Sequence, residues 1–113
     1  MYHRFNEKKY PSTNIQMDIF KKHMEIIKNS NFNFHHPNNF DKQFNIPRIK
    51  KEILITVDDA FKSFYTDAWP YLRENRIPFI LFVSTGPVGK KGYMTWQQIK
   101  EVEKNEFAFI GHH

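Results

Sequence analysis

Ile53-Leu54-Ile55-Thr56-Val57 is a near-continuous run of β-branched and aliphatic residues that stops at Asp58-Asp59. Such a run predicts a strand buried on both faces, the kind a parallel sheet uses. Downstream, a helix is expected from Thr66-Asp67 to about Asn75, with Pro70 tolerated in its first turn. Pro78 ends that unit, and Phe79-Ile80-Leu81-Phe82-Val83 reads as a second buried strand. A loop with Gly86, Pro87, Gly89 and Gly92 follows. Thr95-Trp96-Gln97-Gln98 has the spacing of a capping box, and Trp96, Ile99 and Val102 give the helix behind it an apolar face. Phe107-Ala108-Phe109-Ile110 reads as a third buried strand, ending at Gly111-His112-His113.

Upstream the signals are shorter. Met1-Tyr2-His3-Arg4-Phe5 has the look of a strand end. Thr13-Asn14-Ile15-Gln16 has capping-box spacing, and Met17, Phe20, Met24 and Ile27 recur at helical intervals behind it. Asn29 to Asn33 supplies turn formers, and Phe32 and Phe34 alternate with polar neighbours as in a short strand. The polar, Asn-rich segment from His35 to Pro47 admits a short helix near Asn38 to Phe44. Strands alternating with helices imply an α/β fold with a parallel sheet or barrel. The last strand has no helix after it to cover its apolar face, so the chain is expected to continue beyond residue 113.

Composition supports a folded core. The chain has 113 residues, the size of one small domain, with 40% hydrophobic and 17% aromatic residues, twelve of them Phe. The net charge is +5, yet the basic residues lie in scattered doublets such as Lys8-Lys9 and Lys90-Lys91. No run reaches the about five or six like charges of a polyanion-binding tail, so a solvated surface is expected and no nucleic-acid partner. The absence of cysteine excludes disulfides, zinc ribbons, iron–sulfur clusters and thiol nucleophiles. No apolar stretch reaches the roughly 18 residues of a membrane span, and no signal peptide is visible.

In parallel α/β folds, chemistry gathers at the carboxyl ends of strands. Two strand ends here carry ionisable residues, Asp58-Asp59 and His112-His113. Carboxylate plus imidazole is the ligand mix of a catalytic zinc site. Adjacent carboxylates repel one another unless a cation sits between them, and a metal would leave one free to act as a base. Taken singly, an Asp pair is more often a helix cap and a His pair an ordinary loop. Their shared position at strand ends is what points to a site.

The motif Thr56-Val57-Asp58-Asp59-Ala60 resembles the first motif of the NodB-type polysaccharide deacetylases, carbohydrate esterase family 4, usually Thr-Phe-Asp-Asp-Gly. Gly111-His112-His113 resembles the opening of their second motif. Ala68-Trp69-Pro70-Tyr71-Leu72, Ile77 to Val83 and Met94 to Ile99 follow in the family's order, and the resemblance covers nearly the whole chain. It implies part of a distorted (β/α) barrel, with residues 1–113 forming the N-terminal part of one catalytic domain and about half of the strand–helix units absent. It also implies that Asp58 is the general base and Asp59 a metal ligand. His113 would be the first His ligand, and His112 would fill a variable position. The second His ligand, about four positions on, and the general acid would lie beyond residue 113. Ala60 stands where the family has Gly. His3 is expected near the cleft, and Trp69 and Trp96 are expected to pack rather than to stack on sugars.

The implied reaction is hydrolysis of N-acetyl groups on an N-acetylglucosamine-type polysaccharide, releasing acetate, with a divalent metal, zinc first among candidates. The resemblance further implies a periplasmic or extracytoplasmic location, and that residues 1–113 alone neither hydrolyse amides nor hold a metal tightly. The alternative is a family member that binds glycan or metal without turnover. A phosphoacceptor domain would need another Asp at a strand end, whereas the next strand ends in Ser84-Thr85.

Overall fold

The computed structural model describes residues 1–30, 32–34 and 51–112. Every strand pairing in it is parallel. A three-stranded sheet in the order β5-β6-β7 is formed by β5 (Ile55–Asp58), β6 (Phe79–Val83) and β7 (Ala108–His112). Two smaller pairs precede it in the chain, β1 (Arg4–Phe5) with β2 (Asn14–Ile15) and β3 (Phe32–Phe34) with β4 (Lys51–Ile53). Tyr2 bridges to Val57, so the N-terminal segment runs alongside β5.

Among the described residues, three α-helices connect the strands: α1 (Met17–Lys28), α2 (Trp69–Glu74) and α3 (Trp96–Glu103). The helical stripe expected on α1 is present. Phe20 and Met24 are fully buried, and Met17 and Ile27 pack partly buried against the core. On α3, Thr95 Oγ1 accepts from the Gln98 amide and Gln98 Oε1 accepts from the Thr95 amide, closing the capping box on both sides.

Six expectations need correction. Thr13 to Gln16 is no capping box, because Asn14–Ile15 is recruited as a strand beside β1. Gln16 makes no side-chain cap, and Asn6 Oδ1 accepts the Met17 amide in its place. The run from Ile53 to Val57 is not one strand; it divides at the part-exposed Leu54 between β4 and β5. The sheet is not fully buried on both faces. Ile55, Val57, Phe79, Leu81 and Val83 are buried among helix residues such as Phe64, Leu72 and Val102, while Thr56, Ile80 and Phe82 are only partly covered. The second helix does not start at Thr66, since a π-helical turn, Phe64–Ala68, precedes α2. Pro70 has no amide hydrogen to continue an α ladder, and the widened turn absorbs that break with the Trp69 amide donating to Phe64 O. Trp96 is 47% exposed and leaves the apolar face of α3 to Ile99 and Val102, whereas Trp69, 4% exposed, packs as expected. The third strand starts one residue later than read and runs on through Gly111 to His112. The helix expected near Asn38 to Phe44 lies outside the described residues.

A chain of rings knits these parts together. Tyr2 meets Phe20 edge-on at 4.8 Å, and Phe20 meets Phe5 at 5.0 Å. Phe5 then leads to Phe64 at 6.1 Å, Phe64 to Phe79 at 5.4 Å and Phe79 to Trp69 at 5.9 Å. Edge-to-face and tilted contacts at these separations add to the burial of large apolar surfaces. Four buried Phe, at 5, 20, 64 and 79, thus form the spine of this ring chain. It locks the N-terminal segment to the sheet that carries the strand ends.

Candidate active site

Asp58 closes β5 and is buried, with 9% exposure, at the carboxyl edge of the sheet. Its register partner on β6 is Phe82, and Phe82 pairs in turn with Gly111 on β7. Laterally paired residues of a parallel sheet share a face, and successive residues alternate. Asp58, Phe82 and Gly111 therefore lie in one row on one face, opposite to the helix-covered face of Val57, Leu81 and Val83. His112 pairs with Val83 and falls on that other face, exposed. His113, the expected first His ligand, lies outside the described residues.

Chain direction changes sharply after Asp58. Asp59 and Ala60 have φ of 74° and 50°, in the left-handed region. Asp tolerates this conformation, but for Ala it costs about 1–2 kcal/mol. The turn is over-determined by hydrogen bonds. The Asp59 amide donates to Phe82 O at 2.9 Å, the Met94 amide to Ala60 O at 3.0 Å and the Lys62 amide to Gly92 O at 2.9 Å. The loop after β6 thus braces the acidic turn, and a Gly at position 60 would relieve the strain.

The two carboxylates have different neighbours. Asp59 Oδ1 accepts from Ser84 Oγ at 3.4 Å, a long contact from the end of β6. Asp58 Oδ2 lies 3.5 Å from His3 Nε2. That approach follows from the backbone: the Tyr2 amide donates to Thr56 O and the Asp58 amide to Tyr2 O, both at 2.8 Å, which sets His3 level with Asp58. Sequence reasoning placed His3 only near a cleft and missed Ser84. The signal for Ser84 was its place directly after β6, beside the strand end that carries the acids.

Two adjacent carboxylates, one of them buried, form an anionic edge whose oxygen donors are of a kind that suits a divalent cation. Among the described residues no three His, Asp or Glu side chains converge on a common point. Of the expected ligands, the geometry here is that of Asp59 alone.

Comparison with known proteins bears on the same edge. The family described as Polysaccharide deacetylase matches residues 45–113, a span that includes both strand-end motifs. YxkH of Bacillus subtilis, assigned to the polysaccharide deacetylases, is 30% identical over 63 residues, 56% of this chain and 23% of its own length. Among solved structures, IcaB from Ammonifex degensii is 29% identical with a TM-score of 0.87, covering 99% of this chain and 50% of that one. The Streptococcus pyogenes deacetylase PplD, solved with acetate, has a TM-score of 0.81 at 24% identity, over 100% of this chain and 54% of that one. The chain therefore spans about half the length of these structures, and its parallel strands correspond to part of a NodB-type barrel.

Proposed function

This chain belongs to the polysaccharide deacetylase family, and on that footing we propose that it carries the base and metal-ligand end of a hydrolase removing N-acetyl groups from an N-acetylglucosamine-type glycan. The observation that carries the reading is the buried Asp58 beside the strained Asp59 turn, at the carboxyl edge of a parallel sheet. Burial of one acid and bracing of the other separate two roles that chemically identical side chains would otherwise share.

In this reading Asp58 takes the proton from the attacking water. The water oxygen bonds to the acetyl carbon, the carbon–nitrogen bond breaks as a general acid protonates the leaving nitrogen, and acetate and a free amine are released while the proton taken up by Asp58 passes back to solvent. Asp59 and His113 would hold a divalent metal, zinc first among candidates, which when bound polarises the carbonyl and acidifies water. Ser84 Oγ donates to the Asp59 carboxylate, and the hydrogen bond from the Asp59 amide to Phe82 O holds its backbone. The protein then acts on N-acetylated polysaccharide in a periplasmic or extracytoplasmic setting.

Acetate release from an acetylated glucosamine oligosaccharide tests this. The protein carrying this chain should release acetate, lose the activity to a chelator and regain it with added zinc. Tight glycan binding with no acetate at any metal concentration would instead identify a binding member of the family.

A further inference from the structure

Resting on the deacetylase reading, we infer that the polysaccharide bound at this edge is acidic, its carboxylate or phosphate groups met by lysines from three loops around Asp58 and Asp59. These lysines lie far apart in the sequence, at Lys8-Lys9, Lys62 and Lys90-Lys91. The topology gathers them. The N-terminal segment, β5 and β6 run parallel, with Tyr2 bridged to Val57 and Asp58 opposite Phe82. Residues 6–13, 59–63 and 84–95 therefore all leave the edge that carries the acids, and all five lysines on them are exposed.

A stacked column holds the three loops against one another. The Arg4 guanidinium lies 3.8 Å from the centre of the Tyr10 ring and 3.7 Å from that of Phe61. Phe61 continues to Tyr93, ring to ring at 4.9 Å, and the two residues share an antiparallel bridge. Tyr10 belongs to the first loop, Phe61 to the second and Tyr93 to the third. Cation–π and ring contacts of this kind hold neighbouring loops in register. The Lys62 amide donating to Gly92 O and the Met94 amide to Ala60 O join the second loop to the third through the backbone. One braced rim thus bears all of these lysines, and Lys62, Lys90 and Lys91 sit within a few residues of the bonds that brace the acid turn.

The charge on this rim is uncompensated. Arg4 Nη1 meets Glu7 Oε1 at 3.6 Å, so the cation inside the column is neutralised locally. Among the described residues, no ion pair joins any of the five lysines to a carboxylate. The opposite edge of the sheet differs. There Arg76 Nη2 pairs with Glu106 Oε1 at 3.3 Å, and Lys28 Nζ donates to Asn75 Oδ1 at 3.1 Å. A neutral glycan gains little from free ammonium groups, whereas an anionic one is concentrated by them. Lysine is a point charge on a flexible stem, which suits anionic groups spaced along a polymer better than one fixed ion.

Binding and turnover in the protein carrying this chain test the inference. The probes are an oligosaccharide of N-acetylglucosamine alone, one alternating N-acetylglucosamine with glucuronic acid, and one of N-acetylglucosamine units joined by phosphodiesters. One acidic probe should bind about tenfold or more tightly than the neutral one in low salt, and the preference should vanish near about 1 M salt, where charges are screened within about 3 Å. Whichever acidic probe binds separates carboxylate from phosphate as the recognised group. Lys90→Gln with Lys91→Gln should cut the preference about three- to tenfold, the scale of two exposed ion contacts. Lys100→Gln with Lys104→Gln, on and just after α3, should leave it intact. Equal affinity for neutral and acidic probes, a preference indifferent to salt, or the same loss from both lysine pairs would overturn the inference. So would a salt-dependent affinity for vesicles of anionic phospholipid that exceeds that for every glycan, which would assign the rim to a membrane surface. An acidic probe that binds as expected while no probe yields acetate would overturn the deacetylase reading and leave the basic rim standing.

Discussion

Gly111 lies in β7 where an added Cβ would come within 2.7 Å of Phe82 Cδ1 and 2.8 Å of Cε1. Both belong to the Phe82 ring, which must shift to admit a Cβ there. Gly111→Ala should therefore destabilise the protein by about 1–3 kcal/mol, the usual cost of overpacking. Activity should fall with it, because Phe82 also supplies the carbonyl that holds the Asp59 amide. Urea unfolding of the variant checks this, and a midpoint equal to that of wild type would show that Phe82 is free to move. The requirement for glycine was visible in the sequence only as a motif. Its cause, a ring lying across the neighbouring strand, belongs to the register of β6 with β7. Ala60 is the converse case. The sequence shows a departure from the family's Gly, and the structure shows the positive φ that makes Gly the easier residue there.

At the scale of elements, what could be read in advance was periodicity, and what could not was competition. β6 and the α3 capping box follow from local pattern alone, since nothing else in the chain contends for those residues. Thr13 to Gln16 carried the same kind of signal, yet pairing with Arg4–Phe5 drew Asn14–Ile15 into a strand. A cap spacing cannot announce a partner strand about ten residues away. The π turn before α2 was hidden for a similar reason, because Pro70 reads equally well as a helix start. That turn yields a pH prediction. Burial raises the Asp67 carboxyl above its ordinary value of 3.8, and the nearby Glu7 charge adds to the effect, while a hydrogen bond from Thr66 opposes it. The folded state therefore binds this proton more tightly than the unfolded chain does. Stability from this group is full below 3.8, is lost as pH rises through the raised value, and stays level above it. Asp67→Asn should accordingly raise the melting temperature at pH 7, with the gain disappearing at pH below 3.8. A gain that persists undiminished in acid would point to packing rather than charge.

For the molecule as a whole, the ring chain from Tyr2 to Trp69 couples the N-terminal segment, α1, α2 and the sheet. One strand edge then carries His3, Asp58, Asp59, Ser84 and Gly111 together. The edge itself was legible because two apolar strand runs end in Asp58-Asp59 and in His112-His113, and strand ends are where parallel sheets gather their chemistry. The partner contacts were not, since they depend on register. The central claim is the division of labour between the two acids, and metal content measured beside acetate release tests it most directly. In the protein carrying this chain, Asp59→Ala should lose metal and activity together. Asp58→Asn should keep its metal while hydrolysis falls by about two to four orders of magnitude, the scale of losing a general base. Equal metal loss in both variants, or full activity in Asp58→Asn, would contradict the assignment.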